Sequence, residues 1–339
     1  MKIRQDLQRA PSSKGPRSPL RRQLLAASAL GAATGRLWAQ DYPSRPITFT
    51  VPFAAGGTAD VTARRLAEAL GKVLNVSVVV ENKPSAGAFI ATSYVARAPK
   101  DGYNLLFSTN NALALNPFIY KSLPYKPQDL TPVSLVSRQA FALSGSVHAP
   151  FRTLAEFVRW AKAQPNGVQM GTTGIGTTTH ILGEWIAQEI GFKLNVVPYK
   201  GVSQSTIDLI AGRIPIQMDG ISTAAKLHQA GKTRVIAAMG EDRAGLPEGA
   251  SNFREGGYPE LVAYADFGLL APTGTPSPII DRLHRAVVTA VNQAEFRDSL
   301  AAGGETASAS ASPRDYAERI AKERARWERI VKPMNLQLD

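Results

Sequence analysis

Two glycine-rich loops carry the residue types that could bind a charged ligand. The first lies in "VPFAAGGTAD" (residues 51–60), which joins an apolar β-branched run, Ile47–Val51, to a segment with helical spacing. Such a loop follows the carboxyl end of a strand and precedes a helix, whose first N–H groups are unpaired and whose dipole favours negative charge. Gly56 and Gly57 would let the backbone approach a ligand closely. We therefore predict an anion-binding loop.

The second loop lies in "VQMGTTGIGTTTHILGEW" (residues 168–185), where a strand pattern, a Gly/Thr loop and a helix pattern again follow one another. Its hydroxyl groups outnumber those that capping of one helix requires, so we expect at least one of them to contact a ligand. They belong to Thr172, Thr173, Thr177, Thr178 and Thr179. His180 opens the helix, and its position fits both packing near the helix start and ligand contact.

Neither loop matches a nucleotide-binding motif. A dinucleotide fingerprint needs three spaced glycines, whereas the first loop has only an adjacent pair. A phosphate-binding P-loop needs Gly-Lys-Ser/Thr, and no lysine follows Gly57. The "GKT" at residues 231–233 precedes a strand pattern instead of following one. The spacing therefore excludes both nucleotide interpretations.

Two aspartates near these loops each leave two interpretations open. Asp60 lies in the first helical turn, where a carboxylate stabilises the helix dipole without any further role. Beside an anion site it would otherwise have to meet a donor on the ligand, such as an ammonium or hydroxyl group. Asp219 ends the strand pattern "IPIQMD" at its carboxyl end, where it could likewise meet a donor on the ligand or have no role in binding.

The residues that catalysis or metal binding would require are missing. The chain has no cysteine, which excludes disulfides, thiol chemistry and iron–sulfur sites. The four histidines are scattered along the chain, and no G-x-S-x-G or S-x-x-K motif occurs. We therefore interpret the loops as binding surfaces and predict no catalytic residue, no metal and no cofactor.

The elements that position the loops alternate between strand and helix patterns. The helix after the first strand should end near Asn75, a residue that tolerates the left-handed conformation. The apolar run "VSVVVEN" (residues 76–82) predicts a strand covered on both faces. "VSLV" (133–136) and "FALSGSV" (141–147) read as two separate extended segments. The order predicts an α/β fold with two units in series, each a mostly parallel sheet flanked by helices.

The positive charge of the chain is concentrated at its beginning. The formal net charge is +12 over 339 residues, but residues 1–39 hold eight Lys and Arg against one Asp, so the remainder carries only +5. No basic run is interleaved with aromatic residues, so we predict no nucleic-acid binding.

Residues 1–39 read as an export signal that is removed after Ala39. Arg21 and Arg22 precede the apolar stretch 24–33, which fits a twin-arginine signal and is too short to span a bilayer. The alternative is a disordered basic tail on a cytosolic protein.

Several long motifs in register resemble one protein family. They are "YPSRPITFTVPFAAGGTADVTARRLAEAL", "VVVENKPSAG", "APKDGYNLLFST", "NPFIYKSLPYKPQDLTPVSLV", "GIGTTTH", "VPYKG", "DLIAGRI" and "FGLLAPTGTP". Together they resemble the periplasmic solute-binding proteins of tripartite tricarboxylate transport, the Bug (Bordetella uptake gene) or TctC-like family. The resemblance covers nearly all of the chain after the export signal.

The resemblance implies a two-lobed clamshell of the periplasmic-binding-protein type (type II-like) with two crossover strands. On this pattern lobe 1 comprises residues 41–140 and 268–339, and lobe 2 comprises residues 141–267. A periplasmic, monomeric protein would capture a small carboxylate-bearing metabolite in the interlobe cleft. It would deliver the ligand to the membrane permease subunits of a tripartite tricarboxylate transporter.

The family pattern also implies which residues contact the ligand. They are Phe53, Ala54, Ala55, Gly56, Gly57, Thr58 and Asp60 in the first loop, Asn110, then Thr173, Gly176, Thr177, Thr178 and His180 in the second loop, with Tyr199 of "PYKG" and Asp219. One departure is Asp266, which stands where the family commonly has an aromatic residue. If it borders the cleft, it would favour a ligand that carries a donor or a positive group.

Three other functions remain as alternatives. The same fold could serve a periplasmic sensor that feeds a sensor kinase. A periplasmic hydrolase or lyase would use His180 and Asp219. An effector domain of a transcription regulator shares the architecture, but the export signal and the missing helix-turn-helix disfavour it.

Overall fold

The computed structural model describes residues 42–334, 336 and 338. The export signal predicted for residues 1–39 lies outside them. The strands are β1 Ile47–Val51, β2 Val78–Asn82, β3 Asn104–Thr109, β4 Leu130–Ser146, β5 Val168–Thr172, β6 Leu194–Pro198, β7 Ile216–Gly220, β8 Thr233–Ala238, β9 Ser251–Asn252, β10 Tyr264–Pro272 and β11 Thr306–Ala307.

The helices alternate with these strands. They are α1 Thr58–Leu74, α2 Phe89–Ala96, α3 Asn111–Ala114, α4 Asn116–Ile119, α5 Leu154–Lys162, α6 Thr178–Ile190, α7 Val202–Ile210, α8 Ile221–Gln229, α9 Ser277–Val291, α10 Ala294–Ala301 and α11 Pro313–Val331. Along the part of the chain that is described, none of them is both long and apolar enough to cross a membrane.

Two groups of strands have the same topology. In the first, β1 is parallel to β2 and β3, which gives the order β2-β1-β3. In the second, β5 is parallel to β6 and β7, which gives the order β6-β5-β7. Each group continues with an antiparallel strand, β10 beside β3 and β4 beside β7. The predicted α/β units in series are present, and the antiparallel strands make the sheet mixed.

β4 connects the two groups. Its residues 130–140 pair with β10, and residues 141–146 pair with β7 and β8. The prediction of two separate extended segments was wrong here, because the seventeen residues form one strand. Polar residues such as Arg138 and Gln139 interrupt the apolar pattern in its middle. The backbone nevertheless continues as a strand, since neighbouring strands supply hydrogen bonds on both sides of this point.

β2 differs from its prediction in burial. It lies at the edge of the sheet, and Val79 is 46% exposed. The expectation that both of its faces are covered was therefore wrong. A continuous apolar run shows that a segment suits a strand, but it does not show how many neighbours that strand will have.

The first glycine-rich loop rests on a helix that the sequence predicted well. α1 buries Ala63, Leu66 and Leu70, and it packs on β1 and β2 and against α9. It ends at Asn75, whose φ of 54° is the left-handed conformation expected for this residue. The start of α1 is thus fixed by an apolar face that is anchored in the sheet.

The closing segment belongs with the first group of strands. α11 packs against β4, α3 and α4, and buries Tyr316, Ile320, Trp327 and Val331. Its apolar stripe was visible in the sequence, whereas the lobe it contacts could not be assigned from periodicity.

Candidate functional site

The first loop presents open backbone at the start of α1. Residues 54–57 are exposed, and Gly56 has a φ of +81°, a conformation that favours glycine. Gly57 is the N-cap of α1 and has no side chain to cap the helix. Within the described residues, the N–H groups of Thr58 and Ala59 have no hydrogen-bond acceptor, as expected for a first helical turn. The loop therefore offers donors to an anion.

Asp60 holds this loop in place. One of its carboxylate oxygens accepts the Gly56 N–H at 2.9 Å and the Arg64 Nε–H at 3.1 Å. The other accepts the Asn82 Nδ2–H at 2.9 Å, and Asn82 also donates to the Phe53 carbonyl at 3.0 Å. Burial raises the pKa of Asp60, but the hydrogen bonds from Arg64, Gly56 and Asn82 outweigh it and leave the pKa below its ordinary value. Protein donors thus occupy both oxygens.

The second loop has the same construction at the start of α6. Gly176 has a φ of +74°, and its N–H donates to His180 Nδ1 at 3.0 Å. The N-cap Thr177 has φ −79° and ψ 164°, almost the values of the first N-cap at −77° and 167°. His180 Nε2 lies 3.6 Å from the Glu184 carboxylate. Both ring nitrogens therefore face protein groups, an arrangement that does not suit the alternative role of His180 as a catalytic base.

The threonine hydroxyls of this loop mostly bond one another. Thr179 Oγ1 accepts the Thr173 N–H at 3.0 Å and lies 3.1 Å from Thr177 Oγ1. Thr177 Oγ1 donates to the Gly174 carbonyl at 2.7 Å. None of these contacts caps α6, whose N-cap side chain accepts no helix N–H. The threonines stabilise the loop and leave the helix start open.

One hydrogen bond links the second loop to the first group of strands. Asn111 Nδ2, at the start of α3, donates to Thr178 Oγ1 at 2.5 Å. Asn111 could not be predicted as a contact from the sequence, because an isolated asparagine after a strand belongs to no motif. This contact brings the start of α6 against the carboxyl-end side of β3, where the first loop also lies.

The C-terminal segment also contacts the second loop. A Cβ on Gly176 would collide with the Leu338 side chain and would lie 3.1 Å from Tyr120 Oη. Leu338 is held in place by main-chain bonds, donating its N–H to Ile119 at 2.8 Å and accepting that of Lys121 at 2.9 Å. Sequence reasoning missed this contact, since it joins residues far apart in the chain.

Asp219 has an unpaired oxygen beside the second loop. β5 and β7 are paired at Gly171 and Gln217, so Asp219 lies level with Thr173, two residues further along. The side chain of Asp219 is buried, and one oxygen accepts the Gly220 N–H at 2.7 Å. Within the described residues its Oδ2 has no hydrogen-bond partner. Burial raises the pKa of Asp219 to about 7, although the Gly220 N–H acts in the opposite direction.

Tyr199 and Asn110 have side chains with internal partners. Tyr199 Oη donates to Asp208 at 2.8 Å; burial, followed by this contact, raises the pKa of Tyr199 to about 12. The Asn110 amide donates to Glu323 at 2.8 Å and accepts the Tyr316 hydroxyl at 2.6 Å. Ligand contact by these two residues stays a prediction, because these bonds leave one N–H of the Asn110 amide and the lone pairs of Tyr199 Oη unused.

Asp266 is neutralised by two arginines. Its carboxylate accepts from Arg138 Nε at 3.2 Å and from Arg319 Nε at 2.7 Å, and it is 5% exposed. These arginines provide the donors that the sequence-based hypothesis assigned to a ligand. The three side chains border a groove of about 210 Å³ between α11, β10 and Trp185 of α6. Within the described residues, no three His, Cys, Asp or Glu side chains are grouped to hold a metal.

A family model and a curated relative each match most of this chain. A family model described as "Tripartite tricarboxylate transporter family receptor" matches residues 62–336. The chain is 33% identical to Protein BugT of Bordetella pertussis over 302 residues, which cover 88% of this chain and 92% of BugT.

Two solved structures share the fold over most of their length. The periplasmic binding protein BugD is 27% identical, with a TM-score of 0.79 and coverage of 88% of this chain and 100% of BugD. Rpa4515 of R. palustris, solved with adipate, is 31% identical, with a TM-score of 0.80 and coverage of 86% and 98%.

Proposed function

Because the chain belongs to the tripartite tricarboxylate transporter receptor family, we propose that it captures a small carboxylate between its two glycine-rich loops and delivers it to a tripartite-type membrane permease. Members of this family are periplasmic binding proteins and not enzymes, and the chain has their α/β fold. We propose the carboxylate as the ligand, the tripartite-type permease as the partner, and residues 1–39 as an export signal.

The observation that carries the proposal is the pair of uncapped helix starts. α1 and α6 each begin after a glycine with positive φ, and neither N-cap side chain accepts a helix N–H. A carboxylate is the natural acceptor for such donors, because the helix dipole adds a favourable field at the same place. Rpa4515 binds adipate, a dicarboxylate, which supports the same ligand chemistry here.

The pairing of β4 supports a division into two lobes. We place the first crossing between Ala140, the last residue paired with β10, and Phe141, the first paired with β7. The return falls near Ala263, which accepts the Phe141 N–H at 3.3 Å and donates to Met239 at 2.9 Å. This boundary lies a few residues before the one that the family pattern implied. If the lobes close only on a bridging ligand, the permease can distinguish the ligand-bound protein from the empty one by its closed form.

The site residues follow from this arrangement. We propose that the main-chain N–H groups of both loops bind the carboxylate, with the unpaired oxygen of Asp219 available to a ligand donor. The proposed contacts from the sequence are kept: Phe53, Ala54, Ala55, Gly56, Gly57 and Thr58, with Thr173, Gly176, Thr177 and Thr178. Asp60 and His180 are assigned to holding the loops.

Gly57→Val tests the proposal with little risk to the fold. Gly57 has a φ of −77°, and an added Cβ would meet only the Ala54 carbonyl at 3.5 Å. Valine should therefore be accommodated, while its branches block access to the helix start. Gln293→Val is the matched control, since Gln293 is also an N-cap without a capping bond, at the start of α10.

The assay is a thermal-shift screen of carboxylates, followed by calorimetry of those that raise the melting temperature. We expect the wild type and Gln293→Val to bind the same ligand, and Gly57→Val to lose at least about tenfold in affinity, since the helix-start contact is removed. Equal affinity in all three proteins would contradict the proposed site.

A further inference from the structure

We propose that Asp60 and His180 are matched positioning residues, each supplying one half of a helix cap whose other half is supplied by the ligand. The proposal rests on the proposed function. In a complete cap, a residue in the first turn bonds the backbone before the helix, and the N-cap side chain bonds a helix N–H. α1 and α6 have only the first of these two bonds.

The two half-caps agree in geometry. The acceptor lies four residues after the loop glycine in both cases, and the N–H to acceptor distances are 2.9 Å to Asp60 and 3.0 Å to His180. Both acceptors are nearly fully buried, at 3% and 4% exposure. The side chain one helical turn further on faces each acceptor, Arg64 beside Asp60 and Glu184 beside His180. The shared element is the acceptor, because the neighbouring side chain is a cation in the first loop, Arg64, and a carboxylate in the second, Glu184.

Two other helices of this chain show the complete form. At α5, Glu156 accepts the Arg152 and Thr153 N–H groups at 2.6 and 3.3 Å, and Thr153 Oγ1 in turn accepts the Glu156 N–H at 3.3 Å. At α11, Asp315 accepts the Ala311 N–H at 3.2 Å, and Ser312 Oγ accepts the Asp315 N–H at 3.0 Å. Both bonds are therefore present at α5 and α11, whereas α1 and α6 have only the outer bond, as does α7, where Gln204 accepts the Lys200 N–H at 3.3 Å and the N-cap is Gly201.

The N-cap residues explain why α1 and α6 lack the second bond of a complete cap, the one from an N-cap side chain to a helix N–H. Gly57 has no side chain, and the Thr177 hydroxyl is turned to the Gly174 carbonyl at 2.7 Å. The Thr177 N–H itself makes only a long bond, 3.4 Å, to the same carbonyl. A ligand carboxylate is the acceptor that would complete both caps.

The acceptor role also fixes the ring state of His180. Nδ1 accepts the Gly176 N–H, so the ring proton lies on Nε2, which faces Glu184. A second donor at Nδ1 would break the bond that holds the loop. Any side chain that presents a lone pair where Nδ1 lies could therefore accept the Gly176 N–H and hold the loop.

The experiment compares Asp60→Ala and His180→Ala with Asp315→Ala, which removes the same outer bond at a complete cap. Amide hydrogen exchange is followed at Gly56, Gly176 and Ala311, and adipate is the binding probe in calorimetry. We expect each variant to lose protection at its own amide. Only the first two should lose adipate affinity, by about tenfold or more, because the loop donors are no longer oriented.

Two further variants separate positioning from general stability. His180→Asn keeps an acceptor and should recover exchange protection and most of the affinity. His180→Asp combined with Glu184→Arg copies the first loop into the second and should bind better than His180→Asp alone, in which two carboxylates face each other. In the wild type, the ¹⁵N shifts of His180 should show a proton on Nε2 and a free lone pair on Nδ1.

The outcomes distinguish this proposal from the proposed function. Unchanged exchange at Gly56 and Gly176 in the alanine variants would overturn the positioning role, whether or not adipate binds. Lost exchange protection with unchanged adipate affinity would also overturn it. A wild-type protein that binds neither adipate nor any other carboxylate would contradict the proposed function and the ligand half of the cap, while the exchange data would still decide the roles of Asp60 and His180.

Discussion

The buried carboxyl of Asp219 should make the stability of this protein depend on pH. Burial raises its pKa from the ordinary value of 3.8 to about 7, and one oxygen has no partner among the described groups. The folded state then binds a proton that the unfolded state has lost between these two values. Its stability should therefore fall as the pH rises through this window.

The magnitude follows from the two pKa values. Because a tenfold change in proton affinity corresponds to about 1.4 kcal/mol, the ionised form of Asp219 costs the folded state up to about 4 kcal/mol above pH 7. Between pH 5 and pH 8 the wild type should lose about 2 to 3 kcal/mol of this contribution. Asp219→Asn removes the titrating group, so its stability relative to the wild type should rise by that amount over the same range.

Urea unfolding of both proteins at pH 5 and pH 8 measures this difference. Asp208→Asn is a control whose effect should be the same at pH 5 and pH 8, because the hydrogen bonds from Tyr199 and Arg213 hold the pKa of Asp208 below its ordinary value and both pH values lie above it. Removing Asp208 should cost more at neutral than at strongly acid pH. Parallel pH profiles for the wild type and Asp219→Asn would refute the assignment of a destabilising buried carboxylate.

Three other substitutions test separate contacts. Thr178→Val removes the acceptor of the Asn111 amide and should weaken ligand binding about two- to tenfold, as for one neutral hydrogen bond, measured by calorimetry. Gly176→Ala forces a side chain into a φ of +74° and against Leu338, so urea unfolding should show a loss of about 1–3 kcal/mol; an unchanged midpoint would contradict the close approach. Asp266→Asn leaves two partly buried arginines without their carboxylate and should lower the melting temperature with no change in ligand preference; a changed preference would restore its role as a ligand contact.

The local parts of the site could be predicted from the sequence. The β1–loop–α1 unit, the end of α1 at Asn75 and the Gly/Thr loop before α6 all depend on short-range patterns. The partner of Asp60 was also visible, since Arg64 follows it by four residues on a helix. The same spacing joins His180 to Glu184, and comparing the two pairs would have revealed the common construction of the loops.

The remaining features depend on contacts between distant residues. The continuity of β4 through Arg138 is set by strands that arrive much later in the chain, and no local pattern records them. The exposure of Val79 follows from its place at the sheet edge. The approach of Leu338 to Gly176 joins the end of the chain to the second loop. Periodicity in the sequence indicates which face of a helix or strand is apolar. It says little about which other elements will lie beside that helix or strand.

The central claim is that two helix starts recognise the negative charge of a carboxylate. The most direct measurement is calorimetric titration of the purified protein with a dicarboxylate that raises its melting temperature, in parallel with the corresponding uncharged diamide, such as adipate and adipamide. The diamide has nearly the same shape but carries no charge for the helix dipoles. We predict that the carboxylate binds and that the diamide gives no measurable heat. Equal binding of both compounds, or no binding by any carboxylate, would contradict the account.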